Sequence, residues 1–230
     1  MCGRYAATAQ PDELIEYYGI DEVTDDGADA CQPRWNIAPT MEVPAVVERA
    51  SGTKNVRKLV SLRWGLVPSW SKDDSRGARL INARLETVAE KPSFRAAFRA
   101  RRCILPAIGY YEWRQETVAG QLVKQPYFLH HDNQVLLNMA GIYEFWKGPD
   151  GWLATTSIIT TRASDATGWL HDRMPTVVAD VDAWLDPGLT DGETARALLE
   201  TPAQLLVQPA SRKLNRVEND GPGLIWQGQE

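Results

Sequence analysis

Three cysteines and three histidines are all that the 230 residues offer as soft metal ligands. Cys2, Cys31 and Cys103 are widely spaced and odd in number, which argues against a disulfide framework, and no CxxC pair signals zinc. His130, His131 and His171 complete the set, so neither a metal site nor a cofactor is expected. Long apolar runs are also missing. Gln134–Ile142 and Trp152–Ile159 are interrupted by polar residues and fall well short of a membrane span. The Met-Cys-Gly-Arg-Tyr start lacks the apolar stretch of a secretory signal, so no membrane partner is expected and the cytosol is the expected compartment. Repeats and low-complexity tracts are absent, and no Pro- or Gly-rich linker divides the chain. A length suited to one well-buried core then points to a single domain over residues 1–230.

The net charge of −5 by itself argues against nucleic acid. The distribution argues otherwise. From Lys54 to Arg102 there are 13 Lys and Arg against four Asp and Glu, and the remainder is strongly acidic. Such asymmetry can leave one positive face on an acidic protein, although charge alone favours arginines scattered over a solvated surface.

Strand signals dominate the middle of the chain: Glu42–Val47, Val56–Trp64, Leu80–Asn82, Cys103–Leu105, Gly109–Trp113, Pro126–His130, Val135–Tyr143 and Trp152–Thr160. Helices are expected over Pro11–Gly19, over Lys91–Arg102 with Phe94 and Phe98 at i and i+4, and near Ala163–Gly168 and Gly192–Leu199. Asp21–Asp29 reads as an acidic loop. Runs of strands with irregularly placed helices favour an α+β fold.

Chemistry concentrates at Cys2. A small second residue is generally compatible with removal of the initiator Met1, which would expose a 1,2-aminothiol that no internal cysteine can supply. Its α-amino group, with an ordinary pKa of about 8, is partly neutral near pH 7 and attacks aldehydes to give a Schiff base. The adjacent thiol then closes on the same carbon to form a thiazolidine. Without further context the simpler reading of Cys2, as a small buried or incidental residue, is the favoured one.

The context comes from an ordered set of motifs. Met1-Cys-Gly-Arg-Tyr5, Trp35-Asn-Ile-Ala-Pro-Thr40, Arg63-Trp-Gly-Leu-Val-Pro-Ser-Trp70 and Asn82-Ala-Arg-Leu-Glu-Thr87 are followed by Cys103-Ile-Leu-Pro-Ala-Ile-Gly-Tyr-Tyr-Glu-Trp113. Met139-Ala-Gly-Ile-Tyr-Glu144, Ser157-Ile-Ile-Thr-Thr161 and Leu170-His-Asp-Arg-Met-Pro175 complete it. The set resembles the signatures of the SRAP-domain (SOS response-associated peptidase) family, in family order to about Val178. The resemblance implies a single α+β domain with a curved, barrel-like, mainly antiparallel β-sheet and flanking short helices. It also implies a protein that crosslinks itself to abasic sites in single-stranded DNA.

Carried over by position, the family's catalytic set falls on Cys2, Asn82, Glu112 and His171. Asn82 would hold the amine or a sugar oxygen by hydrogen bonding. Glu112, in the aromatic run Tyr110-Tyr-Glu-Trp113, is expected to share a strand face with Tyr110, to have a raised pKa and to shuttle protons. His171 would protonate the sugar ring oxygen and so open the hemiacetal to the reactive aldehyde. Arg4, Arg84 and Arg173 lie within two residues of these positions and would clamp the flanking phosphates. Arg76, Arg79, Arg95 and Arg99 would extend the track, Trp70 would stack on a base, and Pro39 and Thr40 would line the cleft. His130 and His131 receive no role. The expected partner is single-stranded DNA with an abasic site, bound by a monomer. The reaction would be single-turnover, with weak strand cleavage as a side reaction.

Two other readings stay open. A cysteine peptidase or amidase would use Cys2, Glu112 and His171 but would turn over. A non-covalent single-stranded nucleic-acid binder would tolerate loss of Cys2. The segment Ala179–Glu230 lacks the motifs, and its role is not read from sequence.

Overall fold

The computed structural model describes residues 2–132, 135–163 and 167–225. In chain order, β1 (Tyr5–Ala7), α1 (Pro11–Tyr18), β2 (Glu22–Val23), α2 (Asp25–Ala30), β3 (Arg34–Ile37), β4 (Glu42–Ser51) and β5 (Lys54–Trp64) come first. They are followed by β6 (Asn82–Arg84), α3 (Arg95–Ala100), β7 (Arg102–Ala107), β8 (Gly109–Val118), β9 (Gln121–His130), β10 (Leu137–Gly148) and β11 (Gly151–Arg162). The last third holds β12 (Arg173–Pro175), β13 (Val177–Val178), α4 (Val181–Leu185), α5 (Gly192–Ala197), β14 (Leu199–Glu200) and β15 (Leu206–Pro209).

Five strands close into a barrel. β5 pairs with β4, β4 with β7, β7 with β10 and β10 with β11, all antiparallel. β11 returns to β5 in parallel, with Thr155 opposite Arg63 and Thr156 opposite Trp64. β4 and β7 carry nearly continuous apolar runs, Val43–Val47 and Cys103–Ala107, because both of their faces are covered. Val43, Ala45 and Val47 of β4, Cys103 and Leu105 of β7, Met139 and Tyr143 of β10 and Ile158 of β11 point inward. Their alternates Val46, Ile104, Ala140, Ile142 and Ile159 meet an outer layer built from α1, α3, α4 and α5. Phe94 and Phe98 both pack in that outer layer, as their spacing predicts.

A second, antiparallel sheet runs in the order β15-β9-β8-β1-β3. β8 and β9 form a long hairpin whose two-residue turn, Ala119-Gly120, has positive φ at both positions (50° and 78°). That is the twist a tight hairpin requires, and Gly meets it at no steric cost. The result is an α+β fold around a barrel with short flanking helices.

Four local expectations need correction. Asp21–Asp29 is not a loop but β2 followed by α2. Thr24 caps the helix by accepting from the Gly27 N–H, and Asp25 and Asp26 sit in the first turn, where carboxylates favour the positive helix end. The arginine-rich helix covers only Arg95–Ala100, because Arg102 already belongs to β7. Leu80 and Ile81 precede the strand, which is Asn82–Arg84. The helix expected near Ala163–Gly168 falls partly on residues 164–166, outside the described residues, and Thr167–Leu170 is a turn.

Candidate functional site

Cys2 packs among the inner core residues and is fully buried. From Tyr5 the short strand β1 bridges the two sheets, pairing with Tyr110 on one side and Ile37 on the other. This fixes the residues just before it. Asn82 reaches Cys2 from β6, donating from Nδ2 to the Cys2 carbonyl at 2.8 Å. The approach to Asn82 is clamped: the Ile81 carbonyl accepts both the Ile158 N–H at 3.0 Å and the Trp64 indole N–H at 2.9 Å. The Asn82 Oδ1 is buried and has no hydrogen-bond partner among the described residues, so this amide holds one acceptor in reserve.

Glu112 stands on β8 opposite Tyr127 and is 4% exposed. It shares a face with Tyr110, which packs in the inner core, while Tyr111 and Trp113 on the other face join a separate cluster with Phe128 and Leu214. Burial raises the Glu112 carboxyl above its ordinary pKa, and the positive amino terminus and His171 act in the opposite direction. The Cys2 thiol is pushed well above its ordinary value, first by burial and then by the charge of Glu112. Tyr110 rises too, through burial and then the charges of Cys2 and Glu112. Cys2, Tyr110 and Glu112 therefore form one electrostatic unit.

His171 follows the Thr167–Leu170 turn and precedes β12. Its Nδ1 lies 3.0 Å from the Arg173 backbone N–H and 2.9 Å from Asp172 Oδ1. A backbone N–H can only donate, so in the neutral ring Nδ1 accepts and the proton sits on Nε2. A protonated ring turns Nδ1–H to Asp172 instead. The imidazole thus has a supported arrangement in each protonation state.

Two cavities flank this histidine. One, of about 510 Å³, is lined by Gly3, Arg4, Glu112, Trp113, Lys124, His171 and Asn215. The other, of about 480 Å³, is lined by Arg84, Arg162, Ala163, Asp172 and Arg173. His171 and the two residues after it span the boundary between an acid–base chamber and an arginine cleft.

The arginines differ in their engagements. Arg4 donates from Nη1 to Asn36 Oδ1 at 2.9 Å and to the Leu214 carbonyl at 3.1 Å. Arg173 holds Glu86 through both terminal nitrogens, at 2.7 and 3.0 Å, and its ion pair keeps the Glu86 carboxyl below its ordinary range. Arg84 and Arg162 are exposed. The remaining sequence candidates lie outside the lining of both cavities. Trp70 is exposed with the Arg76 guanidinium 5.5 Å from its ring, and Arg79 is exposed in a 3-10 turn. Pro39 is half-buried, and Thr40 is exposed with its N–H on the Trp64 carbonyl. None of these five lines either cavity. Arg95 and Arg99 are exposed on α3, at the outer layer.

Arg162, Trp113, Lys124, Asn215 and Asn36 escaped the sequence reading. Trp113 lies between two cations, Arg4 at 6.0 Å and Lys124 at 5.1 Å, and its indole N–H donates to Asn215 Oδ1 at 2.7 Å. The C-terminal segment is thereby tied to the site. Asn36 is buried, and its amide donates to the carbonyls of Arg216 at 3.0 Å and Asn219 at 2.8 Å. The hairpin register would have flagged Lys124, but no sequence signal marks Asn215.

Among the described residues no group of His, Cys, Asp and Glu could hold a metal ion, and no helix is long and apolar enough to cross a membrane.

Comparison with known proteins places these residues in a wider set. The family model described as SOS response associated peptidase (SRAP) matches residues 1–217. The chain is 35% identical to the abasic site processing protein YoqW of Bacillus subtilis, over 98% of this chain and 99% of that one. It is 28% identical to the abasic site processing protein HMCES of Xenopus tropicalis, over 96% of this chain and 77% of that one. A crystal structure of a Bacteroides thetaiotaomicron protein superposes with a TM-score of 0.83 at 24% identity, covering 99% of this chain and all of the other. That likeness concerns the fold.

Proposed function

The chain belongs to the SOS response associated peptidase (SRAP) family, and on that premise we propose that it captures abasic sites in single-stranded DNA as a thiazolidine on Cys2. The observation that carries the reading is the Asn82 amide bound to the Cys2 carbonyl, with a buried Glu112 whose charge acts on the Cys2 thiol. The names of the relatives, which process abasic sites, support the same substrate.

Removal of Met1 frees the Cys2 amine. His171 donates a proton to the ring oxygen of the abasic deoxyribose as the C1–O bond breaks, and takes up the proton that the C1 hydroxyl releases, so the hemiacetal opens to an aldehyde. The amine nitrogen bonds to the aldehyde carbon as the C=O π bond opens, and Glu112 carries one amine proton to the new alkoxide, giving the carbinolamine. Glu112 then carries the remaining N–H proton to the hydroxyl as the C–O bond breaks, so that water leaves and a neutral imine remains. The thiol then adds across the C=N bond: sulfur bonds to carbon, and its proton passes to nitrogen. A thiol held mainly protonated by burial competes poorly for the aldehyde, so the amine reacts first. Atoms balance with the loss of one water, and no oxidant or cofactor is required.

Arg84 and Arg162 are the exposed cations of the arginine cleft that meet the phosphate on one side of the lesion, and Arg4 and Lys124 line the chamber on the other. Arg173 serves through its bond to Glu86, which pins the strand next to His171. A protein held on one strand in this way acts as a monomer and works wherever abasic DNA accumulates.

The test is a single-stranded oligonucleotide with one abasic site, incubated with the purified protein and resolved on a denaturing gel. A band of one protein per oligonucleotide, absent with Cys2→Ala, is the expected result. Release of a cleaved peptide with repeated turnover and no such band would instead favour the peptidase reading.

A further inference from the structure

Trp169 lies two residues before His171 and is 47% exposed. A single exposed aromatic signals little by itself. Its position and support set it apart. The Arg114 guanidinium lies 5.2 Å from its ring, and Tyr127 meets it at 5.5 Å with the rings at 85°. Tyr127 is the cross-strand partner of Glu112, and paired residues of an antiparallel ladder share a face. The indole therefore stands over the same face of the β8–β9 hairpin that carries the buried carboxyl. The next residue, Leu170, is buried in the inner core and anchors the turn from below.

The sequence places an indole two residues from His171, on the hairpin face that carries Glu112, braces it with a cation and a second ring, and leaves nearly half of it to solvent. A ring held this way loses little freedom when something stacks on it. An abasic residue brings no base of its own, so the nearest π-face that DNA can offer is a base flanking the lesion.

We propose that Trp169 is the stacking platform for an unpaired base next to the abasic residue, and so makes recognition depend on the flanking base. This rests on the reading of the site as one for abasic single-stranded DNA. A base kept in a duplex stack cannot turn onto the indole, so the platform also favours single strands. Purines, with the larger π-surface, gain most.

The experiment measures affinity in the Cys2→Ala background, where no thiazolidine forms, by anisotropy of labelled oligonucleotides with one reduced abasic site, which has no aldehyde for the amine to attack. The neighbouring positions are adenine in one series and base-free spacers in another. Adenine flanks should bind about tenfold more tightly than spacer flanks, a stacking contribution of the usual size. Adding Trp169→Ala should remove that preference and bring both series to the spacer level, while Trp169→Phe should keep part of it. Equal weakening of both series by Trp169→Ala would mean that the indole only supports the His171 turn, and would overturn the proposal. No effect in either series, or no measurable binding, would overturn it too. The crosslinking reading fails separately: oligonucleotides with an unreduced abasic site that bind the protein but give no adduct with intact Cys2 would sink that reading alone.

Discussion

Cys2 and Cys103 are both fully buried in the same inner core, yet their surroundings differ in kind. Cys103 sits mid-strand in β7 with its sulfur 3.5 Å from Thr156 Oγ1, and burial pushes its thiol up to about 12. Gly141 faces it because a Cβ there would come within 2.7 Å of the sulfur. Cys103 is a packing residue, small and inert. Cys2 is buried equally, but its carbonyl is held by Asn82 and its thiol feels Glu112. Burial alone silences a thiol. In the proposed reaction the imine nitrogen takes the proton of the thiol, and only the N-terminal position supplies that nitrogen.

The sharpest break between the two cysteines is their replacement by alanine. Cys2→Ala should abolish the adduct, whereas Cys103→Ala should leave the crosslinking rate within about twofold and cost roughly 1–2 kcal/mol of stability through the small cavity left behind. Both are read by gel kinetics and thermal melts. Equal loss of crosslinking in the two variants would erase the distinction.

Glu112→Gln should slow crosslinking by about 100-fold, the usual size of a lost general acid–base group. It should also change stability with pH. Burial raises the folded pKa of Glu112 above its unfolded value, so its stabilising contribution is full below the unfolded pKa and is lost as pH rises through the folded one. The glutamine variant lacks that loss. Its melting curves should match the parent near pH 4 and gain about 1 kcal/mol over it at pH 8. A parent that is the more stable of the two at pH 8 would contradict the raised carboxyl.

Asn82→Ala should have a smaller effect, about tenfold on rate, because it removes a positioning bond and leaves both nucleophiles in place. Smaller still is Asn36→Ala, which removes one of the two acceptors of Arg4 and the amide bonds to the Arg216 and Asn219 carbonyls, while the bond from Arg4 to Leu214 remains. It should weaken DNA affinity several-fold and flatten its dependence on salt, with rates at saturating DNA unchanged. A lowered saturated rate would move Asn36 from DNA binding into the chemistry.

Much of this arrangement is legible in the chain, for reasons that differ by region. The long strands announce themselves because β4, β5, β10 and β11 carry apolar residues on both faces, and Glu112 and Tyr110 share a face by simple alternation. Cys2, Asn82, Glu112 and His171 were nameable from the motifs around them. What could not be read is long-range. β1, β3 and β12 are too short to signal themselves, yet they bring residues 2, 36 and 171 to the site. Arg173 looks like a free phosphate clamp until the structure pairs it with Glu86. Arg162 has no motif to mark it, and Asn215 sits in a tail that local patterning leaves blank. Asp21–Asp29 misled because a run of acids reads as loop, although at a helix start the same charges are stabilising.

The most direct test of the central claim is the intact mass of the adduct with a single-stranded oligonucleotide bearing one abasic site, with and without borohydride. The account predicts the mass of the protein without Met1, plus the oligonucleotide, less one water, and no gain of hydrogen on reduction, because a thiazolidine has no C=N bond to reduce. A mass that retains Met1, or an adduct that survives denaturation only after borohydride, would contradict it.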